Sequence, residues 1–263
     1  MNPALLIEAD NLSLRLGGAQ ILQGLSFALE AGEYVSVVGP NGAGKSTLVK
    51  CLAGIHRDWE GELRIRGRSL LKIPHRELAK LVSYVPQADG RSLPFSVHEF
   101  VMMGRYPHLS AFSSCRPEDE AVVDAALELT GLNDFRHRMM DTLSGGERQN
   151  AHIAAALAQG AEVLLLDEPV TFLDYRHQSD ILRTLKQINR DSGIAIVSVS
   201  HDLNHAVEWS DRIVAIRSGR AVFDGLPSQI LDNQWLRTIY DIPFRFVPNP
   251  ASELPLVIPE AKQ

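Results

Sequence analysis

The amino-acid sequence predicts an α/β fold with a parallel core sheet, an antiparallel edge and an inserted helical segment. An apolar run, Tyr34–Val38, leads into a glycine-rich loop and then into a helical stretch that Gly54 ends. Two further apolar runs, 163–166 and 194–200, have the length and composition of buried parallel strands. Residues 5–29 instead alternate apolar and polar side chains, which is typical of antiparallel strands with one solvated face.

The loop after the first apolar run has the spacing Gly-x-x-x-x-Gly-Lys-Ser. Its glycines let successive backbone N–H groups turn toward one polyanion, Lys45 supplies a point charge, and the Ser46 hydroxyl is a ligand for Mg²⁺. The start of the following helix adds its positive end. We therefore predict a nucleoside triphosphate site rather than an ordinary strand-to-helix turn. The predicted contacts are Gly39, Pro40, Asn41, Gly42, Ala43, Gly44, Lys45, Ser46 and Thr47.

The composition is that of a globular chain without affinity for nucleic acid. Of 263 residues, 45% are hydrophobic, which suits one large domain or a core with an inserted subdomain. The net charge of −6 argues against a partner bound through phosphate neutralisation. Apolar runs are far shorter than the roughly 18–20 residues that cross a bilayer, and the N-terminus lacks a basic segment followed by an apolar one. We expect a chain that neither spans a membrane nor is secreted, with Cys51 and Cys115 in a reducing cytosol.

A change of pattern marks the inserted segment. Leu81–Gln87 is an apolar strand ended by proline, and from Ala88 loops and helices replace strands. Ser96 and Glu99 have the spacing of a capping box before an apolar helix that Gly104 ends. We expect the tail to form a small hairpin or to lie along the core. The predicted boundaries are a main domain of 1–240, with a core of 1–87 and 150–240 and a helical subdomain of 88–149, and a proline-rich tail of 241–263.

A second helix start carries two adjacent glycines. Ser144 and Glu147 have the spacing of a capping box, and Gly145 and Gly146 occupy the first turn. Each glycine costs a helix about 1 kcal/mol relative to alanine, so we expect another group to approach this backbone closely. The chain has only one phosphate loop, but this second helix start, with glycines in its first turn, could also meet an anion. We therefore expect that two chains share each nucleotide. Simple capping of the helix is the alternative.

Two acidic residues and a histidine follow the later apolar strands. Asp167 can hold Mg²⁺ through water, and Glu168 can orient or deprotonate the water that attacks the γ-phosphate. His201 stands at the end of the run 194–200. Open α/β sheets bind ligands at the carboxyl ends of their strands, so we expect Gly39, Asp167 and His201 at one edge. Helix capping by the carboxylates and a structural histidine are the alternatives.

Together these motifs resemble the ATP-binding subunit of an ABC transporter over nearly the whole chain. The resemblance implies a RecA-like P-loop NTPase core with an antiparallel β edge subdomain and an inserted helical subdomain. It also implies that two copies of the subunit sandwich two ATP molecules head to tail. The residues that carry it are Gly39–Thr47, Gln87, Leu143–Gln149, Val163–Pro169, Leu173-Asp174 and His201-Asp202.

The same resemblance implies roles for individual residues. The catalytic residues would be Lys45, Glu168 as the base, and His201 at the γ-phosphate. The residues that serve Mg²⁺ would be Ser46, Asp167 and Gln87, the last in a lid that also contacts ATP and senses the membrane partner. The contacts to the ATP of the opposite subunit would be Ser144, Gly145, Gly146 and Glu147, with Asp174 at the subunit interface.

A narrower resemblance is to the group that powers uptake of iron–siderophore complexes, haem and vitamin B12. It rests on Phe95–His108, which contains Gly-Arg-Tyr-Pro-His, and on Leu173–Gln178. In that group the Gly-Arg-Tyr-Pro-His stretch faces the membrane subunits, so we expect it to receive a coupling helix of a permease. The implied assembly is a homodimer with two integral-membrane permease subunits at the cytoplasmic face of the inner membrane, served indirectly by a substrate-binding protein.

The resemblance makes an iron–siderophore complex the first expectation for the cargo, with cobalamin, haem and molybdate as alternatives. A soluble ABC ATPase of iron–sulfur assembly or DNA repair is the alternative of another class. The acidic charge and the lack of a long coiled-coil insertion argue against repair. Leu16 stands where many relatives stack an aromatic ring on adenine, so we expect base recognition to rest on weaker apolar contact.

Overall fold

The computed structural model describes residues 5–87, 93–109, 115–250 and 252–260. They form two compact units. The first, called the loop unit below, comprises 1–72 and 196–263, and the second, the helical unit, comprises 73–195. The predicted start of the helical subdomain at Ala88 lies outside the described residues.

The strands and helices are numbered in chain order. The strands are β1 (Leu5–Leu16), β2 (Ala19–Glu30), β3 (Tyr34–Val38), β4 (Glu60–Ile65), β5 (Arg68–Ser69), β6 (Val82–Val85), β7 (Val163–Asp167), β8 (Ala195–Val199), β9 (Arg212–Arg217), β10 (Arg220–Gly225), β11 (Phe244–Val247) and β12 (Leu256–Pro259). The α-helices are α1 (Lys45–Leu52), α2 (His75–Leu78), α3 (Val97–Met103), α4 (Pro117–Leu129), α5 (Gly145–Ala158), α6 (Tyr175–Ser192), α7 (Leu203–Trp209), α8 (Pro227–Ile230) and α9 (Asn233–Tyr240). None of the described helices combines the length and apolar character of a membrane span.

Two groups of strands build the loop unit. The antiparallel group has the order β2-β1-β4-β5 and confirms the sheet predicted from alternating residues. In the second group, β3 lies between β8 and β9 and runs parallel to both, while β10 pairs antiparallel with β9. Every residue of β3 and β8 is buried, as their continuous apolar runs predict.

The helical unit contains a parallel strand pair and three packed helices. β6 and β7 pair from Val82 beside Val163 to Val85 beside Leu166. β6 is shorter than the predicted run because Pro86 has no N–H to continue the ladder. α3, α4 and α5 share one buried apolar cluster, so the predicted helices form. The predicted capping boxes at the starts of α3 and α5 are both present.

The described part of the C-terminal tail packs within the loop unit. β11 and β12 form the expected antiparallel hairpin, pairing Phe244 with Pro259 and Val247 with Leu256. Val257 is buried in the same cluster as Val38, the last residue of β3. The hairpin therefore also lies along the core, and both expectations for the tail are confirmed.

Candidate functional site

Two glycines of the phosphate loop lie where a side chain would meet neighbouring backbone atoms. Gly39 follows β3 with φ 138°, and a Cβ there would lie 2.0 Å from Ile216 O. Gly44 caps α1 with φ 105°, and a Cβ there would lie 3.0 Å from Ile21 O. The loop backbone is therefore held directly against β9 and β2, in a conformation that glycine adopts at low cost.

The ammonium group of Lys45 lies inside this loop. Lys45 is 4% exposed, and its Nζ donates to Gly39 O at 2.8 Å and to Pro40 O at 3.0 Å. A buried charge needs such partners, because an unpaired ammonium in a dry site is costly. The arrangement holds one positive charge inside a glycine-rich loop at the start of a helix, which is the chemistry of a phosphate-binding site.

The turn between β9 and β10 supports the loop from outside. Gly219 N donates to Ala43 O at 2.9 Å, and Gln23 N donates to Gly219 O at 2.9 Å. Gly219 has φ 76°, and a Cβ there would lie 2.4 Å from Ile21 O. This turn thus joins β2 to the phosphate loop.

His201 lies at the same edge of the parallel strands as the loop. Val37 of β3 pairs with Val199 of β8, and Ser200 N donates to Val37 O at 3.0 Å. Gly39 and His201 each follow that pair by two residues. Within the loop unit, the predicted meeting of the phosphate loop and the histidine at one carboxyl edge is confirmed.

Asp167 is the last residue of β7 and is only 3% exposed. Tyr84 Oη, from the neighbouring strand β6, donates to Asp167 Oδ2 at 3.3 Å. Burial, and then the Asp167 carboxylate, raise the pKa of Tyr84 well above its usual range. The phenol therefore stays a hydrogen-bond donor that orients this carboxylate.

The Glu168 side chain is held by two donors of the helical unit. Gln87 Nε2 donates to Glu168 Oε2 at 2.9 Å, and Thr171 Oγ1 donates to the same oxygen at 3.2 Å. Glu168 has φ 55°, in the left-handed region that residues other than glycine seldom occupy. Such backbone at a strand end often marks a functional turn. The structure brings the predicted lid residue and the predicted base into direct contact.

The helix start at Ser144 is capped as predicted. Glu147 N donates to Ser144 Oγ at 3.3 Å, and Ser144 N donates to Glu147 Oε2 at 2.7 Å. Burial is the largest single influence and acts to raise the pKa of Glu147, but the Ser144 N–H, the Ser144 hydroxyl and the nearby Arg138 and His177 together outweigh it, so the net shift is downward. Glu147 is therefore anionic near neutral pH, and this short capped turn keeps its shape.

A histidine that the sequence did not single out explains one of the two glycines. Asp174 caps α6 by accepting from His177 N at 3.0 Å, and Asp174 Oδ2 lies 2.7 Å from His177 Nδ1. The first of these bonds lowers the pKa of Asp174. A Cβ on Gly146 would lie 2.3 Å from Cδ2 of the same imidazole ring, whereas one on Gly145 would meet Leu173 Cδ2 at 3.2 Å. His177 therefore joins the predicted interface residue to the predicted signature helix within one chain.

The Gly-Arg-Tyr-Pro-His stretch of the helical unit turns its cationic residue inward. Arg105 Nε donates to Asp119 Oδ1 at 3.0 Å, and its Nη1 donates to Ala158 O at 2.7 Å. The hydrogen bond from Arg105 Nε is the main reason that the pKa of Asp119 is lowered. His108 Nε2 lies 2.8 Å from Gln159 O. Between these anchors, Tyr106 is 75% exposed, so the stretch presents an aromatic side chain on a fixed backbone.

Comparison with known families decides the identity of the fold. The family described as ABC transporter matches residues 22–171, which is more than half of the chain. The chain belongs to the ABC transporter family. ATP-binding proteins of this family hydrolyse ATP, so the chain is an ABC ATPase.

Curated relatives of this ABC ATPase include import proteins. The petrobactin import ATP-binding protein FpuC of Bacillus anthracis is 39% identical over 84% of this chain and 81% of its own length. The hemin import ATP-binding protein HmuV of Rhodopseudomonas palustris strain BisB18 is 39% identical over 90% of this chain and 88% of its own. These ABC proteins are therefore similar to the present chain along most of its length.

Solved ABC structures confirm the fold class expected from the motifs. A metal-chelate type ABC transporter in an inward-facing conformation matches with a TM-score of 0.85 and 27% identity, covering 98% of each chain. The dimeric ATP-binding cassette MJ0796 with ADP and Pi matches with a TM-score of 0.73 and 25% identity, covering 84% of this chain and 99% of that one. The antiparallel edge, parallel strands and helical segment are thus those of an ABC cassette.

The contact between Gly146 and His177 in this ABC ATPase predicts opposite effects of one substitution in two backgrounds. Gly146→Ala should lower the unfolding temperature, because the new methyl group meets a ring at 2.3 Å. In a His177→Gly background both the ring and the Cβ of residue 177, which lies 3.1 Å away, are absent, and the same change should stabilise α5 by up to about 1 kcal/mol through helix propensity. Thermal unfolding of the four proteins of this double-mutant cycle measures the sign change. Equal effects of Gly146→Ala in both backgrounds would contradict the proposed contact.

Proposed function

We propose that this ABC ATPase powers an importer of a metal chelate, with an iron–siderophore complex as the cargo. The observation that supports ATP hydrolysis is the anchoring of the Glu168 carboxylate. Gln87 Nε2 holds it at 2.9 Å, directly after Asp167 in the chain. The 39% identity to the petrobactin import protein supports the cargo. The chain would convert ATP binding and hydrolysis into movement of its membrane partners.

The residues of the chain divide the chemical work between binding and proton transfer. The loop N–H groups and Lys45 would bind the β- and γ-phosphates, and His201, at the same strand edge, would contact the γ-phosphate. Glu168 would accept the proton of the attacking water, since one of its oxygens is fixed by Gln87 and Thr171. Fixing a general base in this way lowers the reorganisation needed in the transition state.

The oxygen donors of the chain suit Mg²⁺. The Ser46 hydroxyl, the Asp167 carboxylate and the Gln87 amide oxygen are the hard ligands that this ion prefers. Asp167 is buried and oriented by Tyr84, which fits a group that must hold a cation in place. Bound beside the nucleotide, the ion would neutralise charge on the phosphate oxygens.

Two copies of the chain would share each nucleotide. In this proposal, Ser144, Gly145, Gly146 and Glu147 of one copy contact the ATP of the other, and Asp174 lies at the interface. The rigid capping box and its contact with His177 present the helix start as one preformed surface. The dimeric state of the related cassette with ADP and Pi supports this arrangement.

The helical unit would meet two integral-membrane permease subunits at the cytoplasmic face of the inner membrane. Met103 is 45% exposed and Tyr106 is 75% exposed, so two large apolar side chains stand out from α3 and its following turn. Exposed side chains of this kind on an anchored backbone suit a protein partner. A substrate-binding protein would act through the permease and without contact to this chain.

Haem is the second candidate cargo. The hemin import protein is as similar to this chain as the petrobactin protein, at 39% identity, and over a larger share of it. Both cargoes are iron chelates, so the chemical class is the same in either case.

Substitution of the proposed base should separate binding from turnover. Glu168→Gln should bind ATP normally and accumulate a closed dimer, while hydrolysis falls by about 10²–10⁴-fold because no general base remains. Sedimentation with ATP and Mg²⁺ measures the dimer, and phosphate release measures turnover. Glu118→Gln, on an exposed glutamate of α4, serves as the control. Unchanged hydrolysis would reject Glu168 as the base, and a monomer that binds ATP would reject the shared site.

The proposed permease surface is tested in an assembled transporter. Tyr106→Ala should reduce ATP-driven uptake by about tenfold, because one buried interface aromatic is commonly worth more than 1 kcal/mol. ATP hydrolysis by the isolated protein should stay within twofold of the original rate. Leu226→Ala, on a 55% exposed leucine of the loop unit, is the matched control. Normal uptake by the Tyr106 variant would exclude this surface.

The cargo is identified by which iron chelate stimulates ATP hydrolysis in the assembled transporter. A ferric siderophore presented with its capture protein should raise the rate severalfold above the level without cargo. Haem is added under the same conditions with its own capture protein. Stimulation by haem alone would replace the siderophore proposal and leave the ATPase assignment unchanged.

A further inference from the structure

The C-terminal part of the loop unit packs under the strand that leads into the phosphate loop. One buried apolar cluster contains Val38 of β3, Leu236 and Ile239 of α9, and Val257 of β12. Phe244 of β11 packs against this cluster and makes an edge contact with Tyr240, the ring centroids lying 5.6 Å apart. Helix α9 and the hairpin after it thus share a core with the residue immediately before Gly39.

Tyr240 also reaches the phosphate loop itself. The Tyr240 hydroxyl lies close enough to the backbone N–H of Gly39 for that group to lower the pKa of the phenol. The carbonyl of the same glycine accepts from Lys45 Nζ at 2.8 Å. Burial raises the pKa of Tyr240 to about 12, so the hydroxyl stays neutral under physiological conditions. Gly39 therefore has Lys45 bonded to its carbonyl and Tyr240, the last residue of α9, beside its N–H.

The hairpin makes a second connection, to the helix that follows His201. Asn204 Nδ2 donates to Val257 O at 3.2 Å, and Val257 N donates to Asn204 Oδ1 at 2.8 Å. This pair of bonds satisfies both backbone groups of one residue of β12, as a neighbouring strand would. Asn204 lies in the first turn of α7, whose cap is Asp202. The hairpin is thereby tied to a turn that begins one residue after His201.

We propose that Tyr240, β11 and β12 form a brace that sets the position of the phosphate loop and of His201, with Tyr240 and Asn204 as positioning residues. Tyr240 acts through Gly39, and Asn204 acts through the start of α7. Neither side chain is required to touch the nucleotide. The proposal rests on the proposed function, because it assumes that the loop binds ATP and that His201 assists its hydrolysis.

The two positioning residues should give different kinetic signatures. Tyr240→Phe keeps the ring contact with Phe244 but removes the hydroxyl, so the KM and Kd for ATP should rise about threefold to tenfold while kcat stays within twofold. Asn204→Ala frees β12 from α7, so kcat should fall about threefold to tenfold with KM within twofold. The measurements are ATP titration and steady-state phosphate release with the full chain. A purely structural role would lower the unfolding temperature and leave both constants unchanged.

Matched variants on α9 control for general disturbance of that helix. Trp235→Phe changes an aromatic ring that packs on Phe223 with a centroid separation of 5.3 Å, and Asn233→Ala changes an exposed asparagine. Both should leave KM and kcat within twofold. If they shift the constants as much as the Tyr240 and Asn204 variants do, the brace has no specific positioning role and the proposal fails.

Hydrogen–deuterium exchange of the unaltered protein tests the same coupling if a variant does not fold. ATP with Mg²⁺ should slow exchange in residues 39–47 and, in parallel, in 203–209 and 254–259. Slower exchange in the phosphate loop alone would overturn the brace while leaving the proposed function in place. Absence of ATP binding to the unaltered protein would instead overturn the proposed function.

Discussion

The loop unit depends on one constraint: the buried ammonium of Lys45 takes its hydrogen-bond acceptors from the loop that contains it. The Lys45 ammonium donates to the carbonyls of Gly39 and Pro40, so turning either peptide group elsewhere would remove a hydrogen-bond acceptor from a buried charge. Gly39 can keep this orientation only without a side chain, because Ile216 O occupies the space of a Cβ. The conformation of the phosphate loop is therefore fixed by β9, a strand that supplies none of the predicted site residues.

Much of this structure is predictable from local patterns. The strands around the phosphate loop follow from apolar runs, and the starts of α3 and α5 follow from serine and glutamate three residues apart. The placement of His201 follows from the rule that parallel strands deliver their carboxyl ends to one edge. Each of these inferences uses residues within one element or one general rule of sheet topology.

Contacts that depend on register between elements are not predictable in this way. Gln87 and Glu168 lie 81 positions apart, and their contact requires both the pairing of β6 with β7 and a left-handed turn at Glu168. The residue type does not predict that turn, because glutamate is not favoured in the left-handed region. Likewise, the three-residue spacing of Asp174 and His177 indicates a local bond, but only the packing of α6 on α5 shows that the ring excludes a side chain at Gly146. The approach of a second copy's nucleotide to this helix start stays a prediction, and within the chain the group beside Gly146 is His177.

The turn at Gly219 has a practical consequence for work on this protein. Surface turns between antiparallel strands usually accept epitopes, fluorophores or linkers, because nothing else depends on their shape. This one bonds to Ala43 and Gln23 at once and leaves no space beside Ile21. A label placed there would disturb nucleotide capture although the position looks peripheral in the chain, so probes for assembly or turnover belong on other surfaces.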